Sequence, residues 1–127
     1  MSVYISTGGY KKLNFLETAK LFKKNGIDNI ELSGGAYTTG VKKKLHLVNK
    51  FANIQLHNYF PPPKKPFVLN LASLDEDIFK RSNKHIMDSI KLSSMLGKEY
   101  YSFHAGFLCD IKISELGKKI KKKKIFP

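Results

Sequence analysis

Cysteine and arginine are each present once in 127 residues. A lone thiol, Cys109, excludes an internal disulfide, and no pair of cysteines stands at metal-binding spacing. A reducing, cytoplasmic setting is therefore the simplest expectation, with Cys109 inert. The single arginine, Arg81, leaves 22 of the 23 basic residues as lysine. Sites that read phosphate or base edges favour the planar, bidentate guanidinium, so nucleic acid is the weaker partner reading despite a formal net charge of +13. Six lysines crowd into the segment 118–127, "KKIKKKKIFP", so much of the charge reads as a solvated tail. No run approaches the ~18 apolar residues of a membrane span. The opening "MSVYISTGGYKK" carries no basic segment followed by a long apolar one, which predicts a chain neither exported nor membrane-embedded. His46 and His85 do not form an HExxH pair, and both read as solvated helix-face residues.

What is present is a regular alternation of short apolar strands with helical patterns, in a length that suits one compact domain. "VYIST" (3–7) reads as a strand ending at Gly8-Gly9. Asn14 and Glu17 stand at capping-box spacing ahead of a helix with Phe15, Ala19 and Phe22 on one face and Gly26 at its end. "NIELS" (29–33) is a second strand. A second helix follows from about Val41 to Phe51, with Val41, Leu45 and Val48 facing inward and Lys42, Lys43 and Lys44 facing water. "NIQLH" (53–57) is a third strand. Ser73 with Glu76 predicts a capped third helix with the apolar pattern Phe79, Ile86, Ile90, running to Gly97. "YYSFH" (100–104) is a fourth strand, and Ser114 begins a possible fourth helix. With no hairpin signal between strands, the order β-α-β-α-β-α-β implies an α/β fold of parallel strands joined by crossover helices.

Side chains alternate across a strand, so each strand sorts into two faces. Ile30 and Leu32 oppose Asn29, Glu31 and Ser33; Ile54 and Leu56 oppose Gln55 and His57; Tyr101 and Phe103 oppose Tyr100, Ser102 and His104. A parallel sheet covered by helices on both sides is apolar on both, whereas one polar face suits a barrel whose interior lines a site. Glu31, His57 and His104 then end three consecutive strands at one mouth. A single strand histidine is more often a hydrogen-bonded structural group than a ligand, and Glu31 alone can pair with a lysine; two histidines at matching strand ends favour a site. Neutral imidazoles suit a divalent metal, yet two histidines and one carboxylate supply part of such a site. Pro61, Pro62 and Pro63 stiffen the loop behind His57.

The segments "QLHNYFPPP", "FVLNLAS" and "YYSFHAGF", together with "IELSGG", resemble the xylose isomerase-like TIM barrel superfamily, which includes sugar isomerases and epimerases and the endonuclease IV class. The resemblance covers residues 1–117 as four βα units, about half of a (β/α)8 barrel of ~250 residues, with 118–127 as a disordered lysine-rich tail. It implies that His57 and His104 bind a divalent metal (Zn, Mn, Mg or Fe) in an incomplete site and that Glu31 is the catalytic or substrate-contacting carboxylate. It also implies a sugar or sugar phosphate as ligand, handled by metal-dependent isomerisation or epimerisation. Ala105 stands where the endonuclease-like motif has proline, and "STGGYKK" lacks that branch's histidine after the first strand, so abasic-site phosphodiesterase activity is the second expectation. A basic, non-enzymatic nucleic-acid-binding protein is the third.

Four strands leave two sheet edges and an inner face uncovered. The expectation is a truncated copy, inactive by itself, completed by a C-terminal half-barrel chain or by a homodimer. A lysine run encoded by repeated adenines is a place where a frameshift would end a longer reading frame.

Overall fold

The computed structural model describes residues 2–118. From residue 119 on, the lysine-rich tail lies outside the described residues. The elements run β1 (Ile5–Ser6), α1 (Phe15–Lys24), β2 (Asn29–Leu32), α2 (Val41–Asn49), β3 (Asn53–His57), α3 (Glu76–Met95) and β4 (Tyr101–Ser102), closing with a 3₁₀ turn at Ile113–Glu115. The strands form one parallel sheet in the order β1-β2-β3-β4. Each successive strand adds beside its predecessor, as βα repeats do.

Register places like with like. Ile5, Ile30 and Ile54 lie in one row and Leu32, Leu56 and Tyr101 in another, while Ser6, Glu31 and Gln55 form the polar row between them. Ile30, Leu32, Ile54 and Leu56 are buried against Phe15, Ala19 and Phe22 of α1, Leu45 and Val48 of α2, and Phe60. Phe60 meets Phe15 edge-on at 4.9 Å between ring centroids. Each fully buried aliphatic or aromatic side chain here stabilises the fold by about 1.5–3 kcal/mol relative to exposure.

The first helix forms as its sequence predicts. Asn14 Oδ1 accepts from the Leu16 and Glu17 amides at 3.0 and 3.3 Å, and Glu17 Oε2 accepts from the Asn14 amide at 3.0 Å. Gly26, at φ +78°, lets the chain leave the helix in a left-handed turn. The second helix ends at Asn49, before the expected Phe51.

The third helix departs from its pattern in two respects. Its N-cap is Asp75, whose carboxylate accepts from the Asp77 and Ile78 amides, so the expected Ser73–Glu76 capping box does not form. Its buried face, centred on Ser82, Ile86, Ser89, Leu92 and Ser93, is also rotated by roughly 65° from the apolar stripe, given ~100° per residue. Ile86 is buried, but Phe79 and Ile90 are 42% and 40% exposed, and Ser82, Ser89 and Ser93 take the inner positions. These serines are inside because the loops give them partners. Ser82 Oγ accepts from the Asn70 amide at 2.9 Å, Ser89 Oγ donates to the Phe60 carbonyl at 2.7 Å, and Ser93 Oγ donates to the Tyr100 carbonyl at 3.0 Å. A hydroxyl bonded to a buried loop group outweighs a methyl that would leave that group unsatisfied.

β4 is shorter than its pattern, and beyond Ser114 the described chain forms only the 3₁₀ turn in place of a fourth helix. The loops after β3 and β4 are instead joined through Asn70. Its Oδ1 accepts from the Ala72 and Phe107 amides at 3.1 and 3.0 Å, and its Nδ2 donates to Asp110 Oδ1 at 2.9 Å. Gly106 lies so close that a Cβ there would collide with Asn70 Oδ1. Removing the carboxamide loses three part-buried hydrogen bonds, each contributing about 0.5–1.5 kcal/mol. Asn70→Ala is therefore expected to lower unfolding free energy by about 3 kcal/mol in urea titration, and Leu74→Ala, at an exposed neighbouring position, by less than about 0.5 kcal/mol.

Candidate functional site

The C-terminal ends of the strands and the turns after them enclose an open cavity of about 720 Å³. Parity brings the polar row of the sheet to its floor. Ser6, Glu31, Ser33, His57 and His104 all line it, so the structure brings together all three residues singled out from the sequence. Pro62, Pro63, Pro66, Phe67, Tyr37 and Tyr59 form an apolar wall, and Lys11 and Lys64 add two ammonium groups.

Glu31, Ser6, Ser33 and His57 on the floor are each hydrogen-bonded to a neighbouring side chain. Gln55 Nε2 donates to Glu31 Oε2 at 3.2 Å, so the expected alternative partner for Glu31, a lysine, is replaced by a neutral amide from the adjacent strand. The Ser6 and Ser33 hydroxyls meet at 2.7 Å. His57 Nδ1 is hydrogen-bonded to Ser102 Oγ at 2.9 Å, a pairing dictated by the register of His57 opposite Ser102. That bond orients the ring and directs Nε2 to any ligand. Asn58, nearly buried, donates its amide to the Ser102 carbonyl and accepts from the His104 amide at 3.1 Å, tying the ends of β3 and β4 together. The two imidazoles stand edge to face, 5.3 Å between centroids and 89° apart in plane.

This geometry suits hydrogen bonding to a ligand rich in oxygen. No group of three or more His, Cys, Asp or Glu among the described residues is arranged to hold an ion. Two imidazoles alone do not fill even the three-ligand set of a catalytic zinc.

The proline loop is both wall and spacer. Its fixed φ values hold Pro62, Pro63 and Pro66 against the cavity while Phe60 anchors in the core. Tyr59 donates its amide to the Ser33 carbonyl and accepts from the Leu69 amide at its hydroxyl, both at 2.8 Å. Burial holds the Tyr59 phenol above its ordinary pKa, the Leu69 hydrogen bond partly opposing the shift. Ser33 and Ser102 carry a sequence signal, since they share strand parity with Glu31 and His104. Nothing in the pattern marks Lys11, Tyr37, Asn58, Ile113 or Leu116, which reach the cavity from loops.

His46 is exposed on α2 as expected, but His85 is a correction. Its ring packs against Tyr59 and Phe67, with centroids at 6.2 and 5.9 Å, and its Nε2 is buried without a hydrogen-bond partner. The helix roll that turns Phe79 outward carries His85 under the loop, directly behind the apolar wall.

Compared with protein-family models, with curated proteins and with solved structures, the chain finds no match. No described helix is long and apolar enough to cross a membrane.

Burial lowers the His85 pKa from 6.5, with Asp88 partly opposing the shift. Above pH 6.5 the ring is neutral whether the chain is folded or not. As pH falls below 6.5 the unfolded chain takes up the proton first, so stability declines until the depressed folded value is passed. Urea midpoints at pH 7.5 and 5.5 are expected to fall more for the native chain than for His85→Phe, which keeps the aromatic packing and removes the titration.

Proposed function

We propose that the cavity binds a sugar or sugar phosphate, and that the chain supplies four βα units of a xylose isomerase-like barrel with isomerase or epimerase chemistry. The observation that carries this is the convergence of Glu31, His57 and His104 on one cavity at the C-terminal ends of consecutive parallel strands, where barrel enzymes hold their reacting groups.

The roles follow from the chemistry of the side chains. Imidazole N–H groups donate to the carbonyl and hydroxyl oxygens of an open-chain sugar, and the Glu31 carboxylate takes or returns the proton on the adjacent carbon. Gln55 and Ser102 keep the carboxylate and the His57 ring in position. The aromatic and proline wall suits the C–H face of a sugar. Lys11 and Lys64 suit its phosphate, and neither takes part in the described ion pairs, Lys23–Asp28, Lys80–Glu76 and Lys84–Asp88.

A divalent metal (Zn, Mn, Mg or Fe) enters only as an ion shared between these imidazoles and donors from further strands, and no step is assigned to it. Room for such strands lies at both sheet edges. Val3 and Ile5 are exposed beside β1, and Tyr100, Phe103 and Ile90 are exposed beside β4, where they line a groove of about 270 Å³ with Tyr101. Additional βα units, from a C-terminal half-barrel or a second copy of this chain, would cover this apolar surface and close the ring.

Calorimetric titration with a panel of pentose and hexose phosphates tests the assignment. His57→Gln and His104→Gln are each expected to weaken binding about tenfold, about 1.4 kcal/mol. No binding by any member of the panel, or affinity in both variants unchanged from the native chain, refutes it. Cleavage of an abasic-site DNA duplex that depends on His104 would place the chain with the phosphodiesterases instead.

A further inference from the structure

The cavity wall that Tyr59 and Phe67 form has a back as well as a front. Both residues line the cavity, both rings pack against the imidazole of His85 on α3, and the two stand edge-on to each other at 6.1 Å. His85 does not line the cavity, so it supports the wall from behind. Among the described residues its Nε2 is buried with no hydrogen-bond partner. When Nδ1 carries the proton of the neutral ring, Nε2 is only an unused acceptor among aromatic side chains, and the cost is small. Protonation turns the same atom into a charged donor with nothing to receive it.

The charged and titratable groups around the ring do not remove that cost. On α3, Asp88 favours the imidazolium from one turn away, but its carboxylate is paired with Lys84 at 2.6 Å. Arg81, one turn back, holds its guanidinium 4.5 Å from the centre of the Phe67 ring, so the ring that His85 meets edge-on already carries a cation. From the loop, Tyr59 presents a phenol that burial keeps neutral and whose hydroxyl accepts from the Leu69 amide. The loop's remaining charges are cations as well: Lys64 lines the cavity and Lys65 is exposed.

We propose that His85 is a proton-sensitive prop: neutral, it holds Tyr59 and Phe67 in the cavity wall; protonated, it leaves its place behind them and the wall opens. That the wall faces a sugar rests on the functional proposal above; its response to protons does not. His85 is a positioning residue, since it acts through Tyr59 and Phe67 and does not line the cavity. The direction is set by where the proton binds more tightly. With the loop open the ring meets water and titrates at its ordinary value of 6.5, whereas the closed wall holds it below that value. Acid therefore favours opening from pH 6.5 downwards, by up to about tenfold per pH unit until the closed value is passed, and has no effect well above it. A site walled in this way holds its ligand at neutral pH and releases it in acid.

The Leu69 amide, which donates to the Tyr59 hydroxyl at 2.8 Å, reports on the wall directly. Its hydrogen exchange, followed by NMR on the full chain and corrected for the intrinsic rate at each pH, needs no sugar, so failure here is distinct from failure of the sugar assignment. The Leu56 amide of the buried third strand reports global unfolding. Leu69 is expected to be protected about tenfold less than Leu56, and in urea below the unfolding transition only the Leu56 rate should rise, the signature of a local opening. Between pH 7.5 and 5.5 Leu69 protection is expected to fall about fivefold in the native chain and to stay constant in His85→Phe. His85→Gln, equally unable to titrate, takes its place where the phenyl variant fails to fold. Leu69 protection that equals that of Leu56, that does not change with pH in the native chain, or that falls equally in the variant overturns the proposal.

Discussion

The parallel register of the four strands is the constraint on which the rest depends. Because Ile5, Ile30 and Ile54 share a row, as do Leu32, Leu56 and Tyr101, the intervening row of Ser6, Glu31 and Gln55 must point away from the helices. A slip of one residue in β3 would send Ile54 and Leu56 to the open face and bury Gln55 and His57 under α1 and α2, at the cost of several buried side chains and of unpaired polar groups. The hydrophobic core therefore holds the polar site in place. His57 faces Ser102 for the same reason that Leu56 faces Tyr101.

Where the strands stop, carboxamides take over. Asn58 links the ends of β3 and β4 and sets the main chain of His104; Asn70 links the loop before α3 to the loop after β4 and holds Asp110. Both side chains are almost fully buried, and an amide suits this task because it donates and accepts without a charge to desolvate. The serines of α3 extend the arrangement, each bonded to a loop group that would otherwise be unsatisfied. Rotation of α3 toward these serines has two further consequences. It places His85 under the proline loop, and it leaves Phe79 and Ile90 half exposed, with Ile90 beside the open edge of β4.

Charge has less to do with the fold than composition implies. The described ion pairs are on the surface, where such pairs contribute little. Around the cavity the electrostatic features are local: one carboxylate held by an amide, two imidazoles, and two lysines arriving on loops.

Local sequence was sufficient for the parallel α/β order, for the Asn14–Glu17 box that starts α1, and for the sorting of Glu31, His57 and His104 to one face, because periodicity and capping act within a few residues. Tertiary structure decided the remainder. Ser73 stands at capping-box spacing, but its hydroxyl accepts from the Asp75 amide and donates to Asp110, 37 residues away, while the Asp75 side chain caps α3. Phe79 and Ile90 look like core residues until loop carbonyls and amides recruit the serines beside them. Ile113 and Leu116 line the cavity from the segment after Asp110, whose carboxylate accepts from Asn70, 40 residues away in the chain. Hydrogen bonds between residues so far apart leave no periodic trace in the chain, and each wins because an unpaired buried polar group costs more than an exposed apolar one.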